Sequence, residues 1–263
     1  MSNIKKAFLN KKALIAFITC GDPDLETTEK LIYEMAKSGV DLIELGIPFS
    51  DATAEGPVIQ EANIRAINGG VTTDKIFEMV AKLRKYVDIP IAFMTYANVV
   101  FSYNIEDFAK RAYEVGIDGI ILPDVPFEEK HEFTDIFSKY GIDFISLVTL
   151  TSQNRIEEIT KEAQGFVYCV SSLGVTGERD KITSNIGSMV DLVRKSNPNI
   201  PCAIGFGIST PEQAKNIARI SDGVIIGSAI VKLIGEYGRD SALYVSKYIH
   251  NIKDSMNTLV QDK

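Results

Sequence analysis

The run Asp41-Leu42-Ile43-Glu44-Leu45-Gly46-Ile47-Pro48-Phe49-Ser50-Asp51 decides how the rest of the chain reads. Its first seven residues form a strand pattern interrupted by one inner carboxylate. Alternation puts Ile43, Leu45 and Ile47 on one face and Leu42, Glu44 and Gly46 on the other. The bulkier face should meet covering helices, so Glu44 points inward. Short apolar runs of the same kind recur at 13–20, 90–96, 118–123, 143–149, 166–171, 202–206 and 223–227. Amphipathic stretches lie near 24–38, 58–69, 74–85, 105–114, 128–139, 154–163, 186–196, 211–219 and 240–252. Strands apolar on both faces suit a parallel sheet covered by helices. Eight such units point to a closed (β/α)8 barrel, one domain over residues 1–263. Segment 1–12 reads as a short extra helix outside the barrel that closes its bottom. An open doubly wound sheet would expect GxGxxG after the first strand, where this chain has Gly21-Asp22-Pro23.

Composition narrows the partners. A net charge of −7 argues against nucleic acid, whose phosphates demand a basic surface, but leaves room for a small anion in a local positive field. Cys20, Cys169 and Cys202 form no CxxC pair and each lies in an apolar run, so they read as small buried hydrophobes in a reducing compartment. His131 and His250 stand in polar helical stretches without a neighbouring ligand and support no metal site. Lys5, Lys6, Lys11 and Lys12 precede an apolar stretch of only eight residues, Ala13 to Cys20, too short for a membrane span and without a cleavage signal. The expectation is a cytoplasmic protein with no membrane contact.

Polar residues that follow the strands are the candidates for chemistry, because barrels build their sites there. Glu44, inside the barrel, loses solvation, which raises a carboxyl pKa toward the range useful for proton transfer. The bland alternative is a structural Glu paired with a buried cation, yet no Lys or Arg lies inside any expected strand. Glu55 and Asp51 sit in the next loop; taken alone, Glu55 reads better as a solvated loop residue, and Asp51 reads equally as a turn organiser. Asp124 reads equally as a cap, a turn anchor or a binding group. Tyr96 and Tyr168 end strands and either wall a pocket or simply pack. Three glycine loops follow the last three strands: Gly174-Val175-Thr176-Gly177, Gly205-Phe206-Gly207-Ile208-Ser209 and Gly227-Ser228-Ala229. Glycine lets backbone N–H groups approach an anion, and three such loops in succession point to a phosphate. The polar stretch 177–185 reads as a mobile lid or as a plain surface loop.

These motifs together resemble the tryptophan synthase α chain family. The match rests on Glu44-Leu45-Gly46-Ile47-Pro48-Phe49-Ser50-Asp51 with Gly56-Pro57 and Ile59-Gln60 downstream. Tyr96-Ala97-Asn98, Asp124-Val125-Pro126 and the three glycine loops follow in matching order. The resemblance spans nearly the whole chain and implies cleavage of indole-3-glycerol phosphate to indole and glyceraldehyde 3-phosphate. It implies Glu44 as general acid–base and Glu55 as the second carboxylate, with Thr176 ordering it on closure. Phosphate contacts come by the same resemblance from Gly177, Gly207, Gly227 and Ser228, and an indole pocket from Phe17, Tyr168 and Phe206. No metal or organic cofactor is implied. The family works in an α2β2 complex whose β chain holds the pyridoxal phosphate. Two positions depart from the family: Glu55 replaces Asp, adding a methylene, and Ala52 replaces the usual Pro. They keep open a catalytically weak α-like chain that activates a β partner. Another phosphate-binding barrel enzyme is the remaining alternative, since fold alone does not set function.

Overall fold

The computed structural model describes residues 3–171, 179–205 and 207–261. Its parallel strands run in chain order as β1 (Ala13–Thr19), β2 (Leu42–Gly46), β3 (Ile91–Met94), β4 (Gly119–Ile121), β5 (Asp143–Phe144), β6 (Ser146–Thr149), β7 (Val167–Val170), β8 (Cys202–Gly205) and β9 (Gly223–Ile226). Hydrogen bonding orders them β5-β4-β3-β2-β1-β9-β8-β7-β6. The two ends of that order are joined by one residue, Ile145, so the sheet closes on itself. The stretch 143–149, expected as one strand, is therefore divided. Its first half pairs with β4 and its second with β7, and the ladder changes partner at Ile145, whose N–H goes to the Ile120 carbonyl at 2.9 Å.

The alternation read from the sequence holds inside the ring. Ala13, Ile15, Leu42, Ala92, Ile121, Ile145, Phe166 and Ala203 form the inner core, while Leu14, Ile43, Leu45, Phe93 and Ile204 pack outward beneath the helices. The amino-terminal segment forms a tight 3-10 helix, Ile4–Phe8. Ile4 and Ala7 are fully buried against the inner core, and the Phe8 ring packs on Phe166 with centroids 5.5 Å apart. This helix closes the amino end of the barrel, as expected.

Three aspartates organise that same end. Asp41, Asp118 and Asp222 each stand just before a strand and accept an N–H from the first two residues of the neighbouring one: Leu14 at 2.8 Å, Ile91 at 3.0 Å and Cys202 at 3.0 Å. Each also holds a cation, with Lys11 and Lys253 on Asp41, Arg84 on Asp118 and Arg194 on Asp222. A carboxylate satisfied on both counts spares the open ends of the ladder an unpaired donor.

Nine helices answer the nine amphipathic stretches, and two more appear among the described residues: Ala97–Tyr103 and Ser228–Tyr237. Periodicity could not find them. The first is two turns long with a single buried residue, Val100, and its start is held by Asp124 from another loop, which accepts the Ala97 N–H at 3.1 Å. The second opens on Gly227 with no side-chain cap and is so apolar that it reads as a continuation of β9. The helix expected at 186–196 runs Arg179–Ser196, so the backbone of 179–185, read as part of a lid, is helical; the rest of that stretch, 177 and 178, lies outside the described residues. Cys20, Cys169 and Cys202 are free and buried. No described helix is long and apolar enough to cross a membrane.

Because Ile4 fills the space between strands, Ile4→Ala should destabilise the protein by about 2–4 kcal/mol in urea unfolding, the range for buried aliphatic truncations. Leu9→Ala, at a residue 63% exposed, should move the midpoint little.

Candidate active site

Glu44 is fully buried on the inner face of β2, beside Phe17 of β1 in the strand register. Neither of its carboxylate oxygens has a hydrogen-bond partner among the described residues. The structural reading of this residue required a buried cation, and none pairs with it among the described residues. An unpaired carboxylate in an apolar interior is strongly disfavoured, so the group keeps its proton. Burial alone pushes its pKa from the ordinary 4.5 up to about 8.

Two aromatic rings wall the space around it. The Phe17 ring lies so close to Gly46 that a β-carbon there would stand 2.8 Å from it. The Tyr168 hydroxyl lies against Gly205, where a β-carbon would come within 2.6 Å. Burial raises the Tyr168 hydroxyl pKa, and the charge of Glu44 adds to the effect, so the phenol stays neutral. Glycine at 46 and 205 is thus a packing requirement of the two rings.

Glu55 approaches from the loop after β2. It is half-buried and accepts a hydrogen bond from Asn63 Nδ2 at 2.7 Å. Burial raises its pKa, and the Asn63 bond opposes that. The same loop rests on Tyr96, whose hydroxyl accepts the Ala54 N–H at 3.0 Å and whose ring meets Phe49. Tyr96 therefore supports the loop and is not a wall of the pocket. Asp124 caps a helix, and Asp51 is exposed. The helix Pro57–Asn68 that carries Asn63 is pinned by Arg65, which donates two hydrogen bonds of 2.8 Å to buried Asp22 in the loop after β1.

Phe17, Glu44, Glu55, Tyr168, Gly207, Gly227 and Ser228 line one cavity of about 620 Å³ at the carboxyl ends of the strands. Of the expected site residues, Thr176, Gly177 and Phe206 lie outside the described residues. The helix Ser228–Tyr237 begins at this cavity. The Gly227 carbonyl accepts the N–H groups of Ile230 and Val231, which leaves those of Ser228 and Ala229 at the helix start, where the helix supplies no acceptor. Lining residues that sequence reasoning missed include Met94, Lys232 and Tyr248. Tyr248 comes from the carboxy-terminal helix, far off in sequence, and donates to the Ser209 carbonyl at 2.9 Å, so no local pattern announces it. Lys232 follows Ser228 by one helical turn, a spacing visible only once that helix is recognised. A slightly larger hollow, about 710 Å³, opens at the amino ends of the strands, but its cations are engaged: Lys11 by Asp41, Arg194 by Asp222, Lys12 by the Ser221 carbonyl and Arg219 by Asn216. Of the two, the carboxyl-end cavity is the one lined by a buried polar side chain with no partner among the described residues.

The raised Glu44 pKa has a stability consequence. Between pH 4.5 and 8 the folded chain holds a proton that the unfolded chain releases, so stability falls as pH rises through that window. Glu44→Gln removes the titration. Unfolding free energies of the two proteins should be close at pH 5, and the variant should be the more stable by several kcal/mol at pH 8.5, at about 1.4 kcal/mol per unit. A difference independent of pH would contradict the assignment.

Comparison with known proteins agrees with this geometry. A family model described as tryptophan synthase alpha chain matches residues 1–261. The chain is 46% identical to the tryptophan synthase alpha chain of Lacticaseibacillus casei over 99% of its own length and 98% of the relative's. It is 47% identical to that of Alkaliphilus metalliredigens over 94% of both. Among solved structures, tryptophan synthase subunit alpha from Legionella pneumophila superposes with a TM-score of 0.89 at 35% identity, covering 98% of this chain and 99% of that one. The tryptophan synthase complex of Pyrococcus furiosus contains a chain that matches with a TM-score of 0.84 at 31% identity, over 93% and 98%. With an inward, unpaired carboxyl at the mouth of a barrel and full-length similarity of this degree, the chain belongs to the tryptophan synthase alpha chain family, the lyases that cleave indole-3-glycerol phosphate to indole and glyceraldehyde 3-phosphate.

Proposed function

We propose that the cavity performs this cleavage with Glu44 as its proton-transfer group. The observation that supports this most directly is the buried, partnerless carboxyl. Indole leaves a carbon chain poorly until its C3 carries a proton. A neutral carboxyl with a pKa near 8 can donate that proton at neutral pH. The bond between C3 and the glycerol carbon then breaks, its electron pair returns to the ring, and the hydroxyl on that glycerol carbon becomes an aldehyde by losing its proton. The ionised Glu44 takes up that proton and is restored, so a single group serves both transfers.

Glu55 acts as acceptor for the indole N–H and offsets the positive charge that develops on the ring after C3 protonation. Its extra methylene relative to the family Asp is accommodated by the Asn63 bond, which holds the carboxylate at the cavity edge. Phe17 and Tyr168 sandwich the indole. Gly207, Gly227 and Ser228 bind the phosphate, with the helix start at Ser228 supplying backbone donors and a favourable dipole. Thr176, Gly177 and Phe206, outside the described residues, keep the roles that the family resemblance implies: ordering Glu55, binding phosphate and lining the indole pocket. The chain works in the cytoplasm as the α subunit of an α2β2 assembly with a β chain, to which it passes indole, and uses no metal or organic cofactor of its own.

The test is direct because the chain has no Trp to mask the product. Purified protein mixed with indole-3-glycerol phosphate should release indole slowly, and faster with a β chain. Substrate binding without release in either condition would overturn the lyase reading. Glu44→Gln should lower kcat by about 10²–10⁴-fold, the usual contribution of a general acid–base. Asn63→Ala should lower it by about tenfold through misplacement of Glu55, while Glu55→Asp restores the shorter arm and should lose its dependence on Asn63.

A further inference from the structure

We propose that Lys232 is the residue by which the cavity selects a phosphorylated substrate. The inference rests on the proposed phosphate position at Ser228 and extends it to a side chain. Besides the protonated Glu44, the acidic side chains Glu55 and Glu236 line the cavity, in a chain of net charge −7. A phosphate dianion entering such a cavity meets an unfavourable field. Backbone donors at a helix start supply only partial charges. Among the described lining residues Lys232 is the one full positive charge.

Its placement suits the task. Lys232 lies four residues after Ser228 on the same helix, and therefore on the same face one turn later. Side chains on a helix lean toward its amino end, so the Lys232 stem is directed toward the turn that presents the Ser228 and Ala229 N–H groups. Lys232 is exposed and makes no ion pair or hydrogen bond among the described residues. Glu236 follows at the next turn without pairing to it, the less favourable order for such a pair. By contrast, the lysines Lys11, Lys130, Lys161 and Lys253 are each occupied by a carboxylate. An ammonium unpaired among the described residues, on the same helix face as a start whose first N–H groups find no acceptor within the helix, is a site for a dianion.

The experiment measures glycerol 3-phosphate binding by titration calorimetry at low and high salt, alongside indole release from indole-3-glycerol phosphate. Lys232→Met should weaken glycerol 3-phosphate by about tenfold at low salt and flatten the salt dependence of its affinity. Lys232→Arg should retain most of both. Glu236→Gln should tighten binding, because it removes an opposing charge. In turnover, Lys232→Met should raise KM for the phosphorylated substrate and lower the efficiency on indole glycerol, which has no phosphate, far less. Equal glycerol 3-phosphate affinity and salt slope in Lys232→Met and wild type would overturn the inference, whatever the turnover. Weakened binding in a protein whose wild type releases no indole would uphold the lysine's role and refute the lyase reading instead.

Discussion

A carboxyl group without a partner can be held inside a protein only where the surrounding backbone leaves it nowhere to go. Here that constraint is the closed ring of parallel hydrogen bonds. β2 is bonded to β1 and β3 along its length, so Glu44 cannot rotate out of the interior without breaking two ladders. The ring in turn depends on its junction at Ile145 and on the three aspartates that tie off the amino ends of the strands. Stability and chemistry are thus separated along the barrel axis. One end carries paired charges and a plug; the other carries polar groups left unsatisfied. The energy that holds Glu44 neutral is supplied by burial throughout the fold, not by a local partner.

The fold was legible because its signal is repetitive. Each strand is a short apolar run, each covering helix has its own periodicity, and eight repetitions point to the barrel. The inward direction of Glu44 followed from parity alone. The interruption at Ile145 was not legible, because a change of bonding partner leaves no mark on hydrophobicity. Ala97–Tyr103 and Ser228–Tyr237 were hidden for opposite reasons: the first buries too little to show a stripe, and the second is too apolar to show a polar face.

The candidate site divides in the same way. Residues on strands or in glycine loops could be named from the sequence, since strand parity and glycine content point to the cavity. Residues that act through another element could not. Asn63 reaches Glu55 from the next helix, Tyr248 reaches the loop after β8 from the carboxy-terminal helix, and Asp124 caps a helix that begins in a different loop. Tyr96 shows the converse. Its position at the end of β3 suggests a wall, yet its hydroxyl is committed to the Ala54 N–H and the ring props up the loop that carries Glu55.

The close contacts of Phe17 with Gly46 and of Tyr168 with Gly205 also bear on how such a pocket can change over generations. On those two sides the available room is set by main chain, which cannot be trimmed. Any side chain at either glycine would have to push its ring out of place. Adaptation to a ligand of different shape is therefore channelled away from the interior and toward the rim, where Glu55, Ser209 and Lys232 stand on loops and on an exposed helical turn. The barrel keeps a rigid floor and leaves its entrance open to drift.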